Sequence, residues 1–393
     1  MGDNATLVAF VKSVNDAFTY QDGPALSKLF VFNDHTLSVF QNRIHISDDL
    51  DSYVSYISSP IQLQITLTYL NYVRDRQSVT CEETHKQLCR LAELFTSLLT
   101  NAQGPWLIPT IRSMAVALCL SAQRVAKQTD DASAFTQSAT RLLQLLIVIL
   151  SDSTTPIASS KRVGALVVAG LLLRISLRTS AAPGAYAGKA LEAKSLVSLP
   201  GFPQRDRITY SYWLGRYYLV CYYIDAARKQ LEYAFSKCPS WHYHNKRAIL
   251  RHLVAANMLR GQLPSNELLE KYDMEPVYYD LAACFKQGNL HLFQQNLVDN
   301  MEFFRSQGNF LLLLERTKLL IYRNALRKVA LLNTNAERTN VLQYRDVLRA
   351  FQLTSQNFEM DILEMESILA SLISQKMVLG YLFHHHQVVN LSH

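Results

Sequence analysis

The sequence predicts an all-α fold, a right-handed stack of antiparallel helix pairs that ends in a small module of three helices and a hairpin. Three observations predict it. Glycine and proline, which interrupt helices, contribute only 13 and 11 of the 393 residues. Hydrophobic residues make up 49% of the chain and recur at three- and four-residue steps through most of it. The last residues instead carry β-branched and aromatic side chains around a turn-prone centre, which is typical of a two-stranded hairpin.

Composition and charge narrow the function classes. A charged fraction of 18% and a mean hydropathy of +0.01 indicate a chain with a sizeable core, not a disordered one. The net charge of +7 favours an acidic partner, either nucleic acid or an acidic polypeptide, without choosing between them. Six dispersed cysteines without a Cys-x-x-Cys pair indicate a reducing compartment. We expect no secretory signal, and the apolar runs Leu145–Leu150 and Val163–Leu173 are too short to cross a bilayer.

The first two hundred residues read as helices and loops. Leu7, Val11, Val14 and Phe18 predict a first helix, which Asp22-Gly23-Pro24 closes. Three further segments repeat the helical period: Ile61–Tyr72, His85–Leu99 and Leu107–Lys127. Two stretches are predicted to be loops, Ser151–Ser160 and Thr179–Asp206. The second of these, rich in proline and glycine, is the better candidate for a domain boundary, and we place one at residue 200.

A helix pair of the tetratricopeptide (TPR) type is predicted next. Its small and apolar residues fall on the TPR spacing: Leu214, Gly215, Tyr218, Ala227, Leu231, Ala234 and Pro239. Gly215 and Ala227 would let two helices approach closely, and Pro239 would end the second one. More helices follow: Lys246–Arg260, Glu267–Tyr272, Leu281–Lys286, Leu290–Val298, Met301–Ser306 and a long helix Leu311–Leu332. Gly288-Asn289 supplies a left-handed cap between two of them.

The last eighty residues predict a winged helix. Two helices, Val341–Phe351 and Ile362–Gln375, precede the hairpin Val378–Leu391. Together with the preceding long helix, this gives three helices followed by a hairpin, the order of a winged helix. We therefore expect a helical repeat region over residues 1–200, a helical part over 201–314 and a winged-helix part over 315–393.

A stack of TPR-like helix pairs that runs directly into a winged helix resembles the PCI domain. The chain is most similar to the PCI subunit of the nuclear transcription-and-export complex and to its signalosome-associated relative. The residues that carry the resemblance are Asn245-Lys246-Arg247, Gly288-Asn289-Leu290, Tyr322-Arg323-Asn324, Arg327-Lys328-Val329, Gly380-Tyr381 and His385. They lie between about Arg207 and Leu391, whereas the first two hundred residues match only in helical character.

The resemblance implies a non-enzymatic scaffold in nuclear mRNA export. It implies a large partner with its own PCI domain, a small acidic protein of the proteasome-lid type, and a composite surface for RNA or another single-stranded nucleic acid. The expected location is the nucleus, at nuclear pores, with the cytoplasm also open; no membrane contact is expected. The alternative is a structural PCI subunit of a signalosome- or proteasome-lid-type assembly that binds no nucleic acid.

Basic residues late in the chain are the candidate nucleic-acid contacts. Between Glu315 and Arg349 there are eight Lys or Arg and three Asp or Glu. On one long helix Arg316, Arg323 and Arg327 would form a stripe suited to phosphates. The full predicted set is Arg316, Lys318, Arg323, Arg327, Lys328, Arg345, Arg349, His384 and His386. The alternative is that some of these cations pair with carboxylates inside the fold.

A second basic segment, rich in aromatic residues, is the candidate protein-partner site. Arg205 to Arg260 holds ten Lys or Arg and three Asp or Glu, with tyrosines and Trp241 between them. This composition suits an RNA strand or a small acidic protein, and packing within the repeats remains the alternative. The predicted partner-binding residues are Arg216, Tyr217, Tyr223, Lys246, Arg247 and Arg251.

Other motifs point away from DNA reading, metal binding and catalysis. Glu359, Asp361, Glu364 and Glu366 would make the recognition helix of the winged helix acidic, so it should repel a DNA backbone. His384-His385-His386 on a strand would alternate between faces, and Cys81, His85 and Cys89 lack a fourth ligand. We find no phosphate-binding glycine loop or nucleophile motif. The sequence therefore predicts no enzyme, no cofactor and no metal.

Overall fold

A computed structural model of the chain describes residues 2–33, 36–38, 50, 57, 59–76, 78–154, 156–179, 182–193, 201–337 and 340–392. The chain divides into two compact units, Met1–Tyr217 and Tyr218–His393. Helices dominate both units, which confirms the all-α prediction, and the second unit carries a three-stranded sheet. The domain boundaries predicted at residues 200 and 314 stay predictions.

The described part of the first unit is built from nine helices. They are α1 (Gly2–Thr19), α2 (Gly23–Leu29), α3 (Pro60–Asp75), α4 (Cys81–Asn101), α5 (Ile108–Thr129), α6 (Ser133–Ser151), α7 (Ala165–Ser176), α8 (Ala182–Ala193) and α9 (Gln204–Val220), whose last turn enters the second unit. Consecutive helices pack on one another from α3 to α8. Short 3-10 turns, Ile157–Ser159 and Lys161–Gly164, lie between α6 and α7.

An aromatic cluster and a buried lysine hold this unit together. The ring of Phe30 lies 4.7 Å from that of Tyr69 and 5.7 Å from that of Phe95. The Tyr69 hydroxyl donates to the Val31 carbonyl at 2.8 Å and so anchors the end of α2. Lys161, 8% exposed, donates from Nζ to the Leu99 carbonyl at 2.7 Å, at the C-terminal end of α4. A cation there satisfies the carbonyls that a helix end leaves unpaired.

Two predictions for the first unit need correction. The apolar run Leu145–Leu150 belongs to α6, a 19-residue helix that is long and apolar enough to cross a membrane by length and composition. Half of it is buried against neighbouring helices, so it is a core helix of this unit. The predicted loop Thr179–Asp206 contains α8, because Pro183 lies in the first helical turn, where proline is tolerated. Residues 194–200 lie outside the described residues.

The second unit continues with helices and ends in a small sheet. Its described elements are α10 (Ile224–Lys237), α11 (Tyr243–Met258), α12 (Asn266–Lys271), α13 (Glu275–Gln287), α14 (Leu290–Asp299), α15 (Met301–Gln307), α16 (Phe310–Arg316), α17 (Lys318–Glu337), β1 (Val341–Gln343), α18 (Tyr344–Ser355), α19 (Ile362–Ser374), β2 (Gly380–Phe383) and β3 (Val388–Leu391). α10 packs against α11, and Ala227, Leu231 and Ala234 of the predicted TPR-like pair are buried.

The turn between α13 and α14 confirms the predicted left-handed cap. Gly288 has φ +72°, and its N–H bonds back to the Phe285 carbonyl at 3.1 Å. Asn289 then caps α14 by accepting from the Leu292 N–H at 3.0 Å. A Cβ at Gly288 would lie 2.6 Å from the backbone nitrogen of Ala325 on α17. This turn therefore needs glycine twice, for its conformation and for the closeness of α17.

The predicted long helix Leu311–Leu332 is wrong, because it is two helices. α16 ends at Arg316 and α17 begins at Lys318. At the break, the buried Thr317 hydroxyl donates to the Leu313 carbonyl at 2.6 Å. Arg316 therefore does not share a helix with Arg323 and Arg327.

The end of the chain forms a winged helix with one strand more than predicted. Val341–Gln343 is strand β1, not the start of a helix, because it pairs antiparallel with β3. The sheet order is β1-β3-β2, so β2 is an edge strand and the predicted hairpin β2–β3 is confirmed. The Tyr322 ring of α17 lies 4.7 Å from that of Phe351 on α18, which ties the winged helix to the long helix before it.

Candidate nucleic-acid and partner interface

α17 is fixed in place by contacts along one side. The Asn324 side-chain amide donates to the Phe285 carbonyl at the end of α13, at 2.8 Å. Leu320, Ile321 and Leu326 are buried beneath the helix. Because these residues hold the inner side of α17, the remaining positions project outward.

Arg327 and Lys328 are exposed on the outer side of α17, and among the described residues neither forms an ion pair with a carboxylate. Arg323 is half-buried and donates to the Asn324 side-chain oxygen at 3.1 Å. Burial lowers the pKa of Arg323 below its ordinary value, and the positive charge of Arg327 lowers it further. The two like charges repel one another, and an anion bound beside them would offset that repulsion.

The start of the predicted stripe differs from expectation. Arg316, at the end of α16, places its guanidinium carbon 4.7 Å from the ring centre of Tyr222. Lys318, the first residue of α17, pairs with Glu315 at 3.3 Å. Both side chains thus have a partner in the second unit. Only that of Lys318 is a carboxylate, the kind of partner that the sequence leaves open as the alternative.

The winged-helix members of the predicted set fall into two groups. Arg345 is 90% exposed and lies 3.5 Å from Asp346, an arrangement that costs little to break. Arg349 lies over the ring of Phe358 at 5.8 Å, and His386 is exposed at the hairpin tip. These three are accessible to a ligand, whereas His384 is exposed but pairs with Glu366.

His384 is part of a clamp on the hairpin tip. The three histidines form a 3-10 turn, His384–His386, and not the strand that we predicted. Glu366 on α19 accepts from His384 Nδ1 at 2.9 Å and from the Tyr344 hydroxyl at 2.8 Å. The Tyr344 bond, opposed by burial and assisted by His384, lowers the pKa of Glu366 below its ordinary value of 4.5. His384 as a phosphate contact stays a prediction: Glu366 engages its Nδ1, and 61% of its side chain is exposed.

The clamp makes a prediction about pH. A carboxylate whose pKa is lowered by folding adds stability above the unfolded-state pKa, and that contribution is lost as the pH falls through the folded-state pKa. Glu366→Gln should therefore melt at a lower temperature than the parent at neutral pH, and the difference should shrink below pH 4.5. Glu359→Gln, an exposed neighbour, is the control and should melt like the parent at both pH values. A Glu366→Gln deficit that persists unchanged in acid would contradict the clamp.

The predicted partner-binding residues are divided between the two units. Arg216 and Tyr217 lie in the first unit, and the other four lie in the second. Tyr217 is 6% exposed, and its ring carbon would meet a Cβ at Gly184 at 2.8 Å. Tyr217 as a partner contact is therefore wrong, since the packing of α8 against α9 covers it.

The cations of this set largely contact aromatic rings and carbonyls of their own unit. Arg216 lies 5.0 Å from the Trp213 ring, Lys246 4.5 Å from the Phe235 ring and Arg251 5.4 Å from the Phe303 ring. Arg247 donates to the Asp273 carbonyl at 2.8 Å. Packing within the repeats explains much of this basic and aromatic composition, and only Tyr223 remains largely exposed. A protein partner on these residues stays a prediction.

The sequence did not reveal a set of exposed apolar side chains on the winged helix. They are Leu353, Phe358, Leu363, Leu379, Tyr381 and Phe383. Tyr381 and Phe383 are alternate residues of the edge strand β2, so both project from the same face. The alternation of aromatic residues along this strand is the sequence signal that could have revealed the exposed set. Exposed large apolar residues beside an unpaired strand edge are typical of a protein interface.

The acidic recognition helix is confirmed. Asp361 caps α19 by accepting from the Glu364 N–H at 2.7 Å, and Glu366 lies one turn further on. Among the described residues, no three His, Cys, Asp or Glu side chains come close enough to hold a metal ion. In the first unit, Cys89 Sγ lies 3.5 Å from His85 Nε2.

The family comparison matches the C-terminal part of this architecture. Residues 290–393, from α14 to the end of the chain, match the model of the PCI domain. This chain carries a PCI domain. PCI-domain proteins are generally scaffold subunits that assemble with other PCI subunits.

Similarity to known PCI proteins extends beyond that domain. Enhanced ethylene response protein 5 of Arabidopsis thaliana is 24% identical over 390 residues, which are 96% of this chain and 91% of that protein. PCI domain-containing protein 2 of Danio rerio is 25% identical over 396 residues, 98% of this chain and 96% of that protein. Its Drosophila melanogaster homolog is 33% identical over 191 residues, about half of each chain. The similarity therefore includes the first two hundred residues, for which the sequence indicated only helical character.

Proposed function

We propose that this PCI protein is a scaffold subunit of a nuclear mRNA export complex, which binds RNA on the outer side of α17 and a second PCI subunit on its winged helix. The small acidic protein would bind the helical repeats, and the chain would have no catalytic role of its own. Nuclear location, at nuclear pores, belongs to the same proposal. The relatives support the scaffold role, since they are PCI domain-containing proteins.

One observation carries the RNA proposal. Arg327 and Lys328 are exposed without a carboxylate partner in the described part of the chain, on a helix that packing holds rigid. Cations that are free of internal ion pairs can neutralise phosphates without first breaking a protein contact. α19 bears Glu364 and Glu366, so RNA would follow α17 and avoid the acidic helix.

The test is the salt dependence of RNA binding. Arg327→Glu with Lys328→Glu should weaken binding to an oligouridylate and lower the slope of log affinity against log salt by about 0.7 per lost phosphate contact. Adding Arg323→Glu should lower it further. Binding should weaken about equally for different sequences, because phosphate contacts position RNA without specifying its sequence. The measurement uses the full chain, alone and in the complex purified with it from its own cells.

A matched control separates this site from net charge. Lys127→Glu with Lys189→Glu makes the same charge change on exposed residues of the first unit. This control should keep the parent slope. If both double variants lower the slope equally, the effect is one of overall charge. If neither double variant lowers the slope, and both have the melting temperature of the parent, the chain fits the alternative, a structural PCI subunit without RNA contact.

A further inference from the structure

The backbone at Tyr222 is unusual. Tyr222 has φ +62°, in the left-handed region that residues with a side chain rarely adopt. Its ring is 54% exposed and carries the Arg316 guanidinium on one face. Strained backbone persists where the surrounding structure enforces it, and such residues cluster at functional sites. Here the strain holds an aromatic ring at the surface beside a cation.

Tyr223 places a second ring next to the first. It is 63% exposed and touches the Tyr218 ring edge-on, with 6.2 Å between ring centres. The backbone of Tyr223 closes the turn before α10, because its N–H donates to the Tyr218 carbonyl and its carbonyl accepts from the Ala227 N–H at the start of α10. The exposed Tyr223 ring is therefore not needed to close this turn.

The two tyrosines lie on the same surface as the arginines of α17. Asp225, just inside α10, pairs with Arg260 at 3.2 Å. A Cβ on the adjacent Gly261 would lie 3.0 Å from Arg323 Nη2. The turn after α11 thus bridges the start of α10 and the cations of α17, and Arg316 joins the same surface through Tyr222.

We infer that Tyr222 and Tyr223 form a stacking platform for the bases of single-stranded RNA, whose phosphates lie on Arg316, Arg323 and Arg327. Aromatic rings beside a cationic track are the means by which proteins hold single strands, because only unpaired bases expose their faces. Two carboxylates on these elements, Asp225 and Glu315, are already paired with Arg260 and Lys318. The inference rests on the proposed RNA binding and specifies its substrate as single-stranded.

The test compares stacking with phosphate binding on the full chain. Tyr223→Leu should weaken binding of a fluorescent oligouridylate about ten-fold, with no change in the salt slope, since stacking releases no counterions. The same strand annealed to oligoadenylate should bind more weakly than the single strand. Trp241→Leu is the control, because Trp241 is 79% exposed but lies past the far end of α10, about 20 Å away. It should bind like the parent.

A second variant protects the test against a folding defect. Tyr222→Asn keeps a residue that tolerates the left-handed conformation, so it should melt no earlier than the parent while binding the single strand more weakly. If both tyrosine variants bind like the parent, or if the duplex binds as well as the single strand, the platform is wrong. When the α17 variants still lower the salt slope in that case, the proposed RNA function stands alone.

Two further outcomes have a distinct meaning. If the α17 and tyrosine variants all bind RNA like the parent, the proposed function fails and the platform fails with it. If an oligoglutamate displaces the single strand as well as an oligonucleotide of equal charge does, the tyrosines read no bases and the surface binds an acidic polypeptide instead.

Discussion

Gly288→Ala is expected to lower the free energy of unfolding by about 2–5 kcal/mol. A side chain in the left-handed conformation costs about 1–2 kcal/mol, and forced overpacking adds about 1–3 kcal/mol. Both apply, because Gly288 has φ +72° and its Cβ would lie 2.6 Å from the Ala325 backbone nitrogen. A backbone atom in the middle of α17 cannot rotate away as a flexible side chain can. Urea-induced unfolding of the parent and the variant measures the loss.

Gly308→Ala provides a matched control for this prediction. Gly308 ends α15 in the same conformation, with φ +75°, but nothing lies within 4 Å of its Cβ position. Its substitution should cost only the conformational part, about 1–2 kcal/mol. The difference between the two variants measures the closeness of α17 to the α13–α14 turn. Equal losses would show that this close approach carries no energy.

The second large effect is expected at the winged helix. Leu363→Glu or Phe383→Glu should abolish capture of a second PCI subunit in the purified complex while leaving the chain folded. Exposed aromatic and aliphatic anchors at an interface centre contribute about 2 kcal/mol or more each, or about 30-fold in affinity. A buried unpaired carboxylate would add its desolvation cost.

The docking prediction has its own control. Val298→Glu introduces the same charge at an exposed apolar residue of α14, outside the winged helix. It should retain the partner at parental levels. Recovery of the partner at full strength with both winged-helix variants would locate the docking surface elsewhere on the chain. The salt slope for RNA, measured on the same proteins, should stay parental, because neither Leu363 nor Phe383 lies on α17.

Both predictions depend on structural features, of which the sequence shows some and leaves others undetermined. Gly288-Asn289 is readable as a cap because glycine and asparagine are the residues that adopt or support that conformation. That Gly288 also touches α17 follows only from the fold, since Ala325 is far away along the chain. The exposed apolar residues of the winged helix lie among buried ones of the same type, and composition cannot separate Leu363 from the buried Leu369.

The candidate RNA site likewise has one feature that the sequence shows and another that only the fold determines. The excess of cations between Glu315 and Arg349 is a property of the sequence, and the proposed RNA site lies in this segment. The sequence does not show which of these cations lack a partner within the fold. Arg316 contacts Tyr222 and His384 contacts Glu366 only because folding brings these residues together. The break at Thr317 shows a local limit as well, since α16 ends there although the apolar period of the sequence continues.

The sequence alone determined that this chain is helical, where most of its helices and its hairpin lie, and that it ends in a winged helix. These features depend on residues within one or two turns of each other, so periodicity and caps encode them. Only the tertiary structure decided that Tyr217 is buried, that Glu366 clamps the hairpin tip, and that Tyr222 and Tyr223 lie beside the arginines of α17. The physical reason is that burial and pairing are properties of residues distant in the chain, and the packing of helices selects which of them meet.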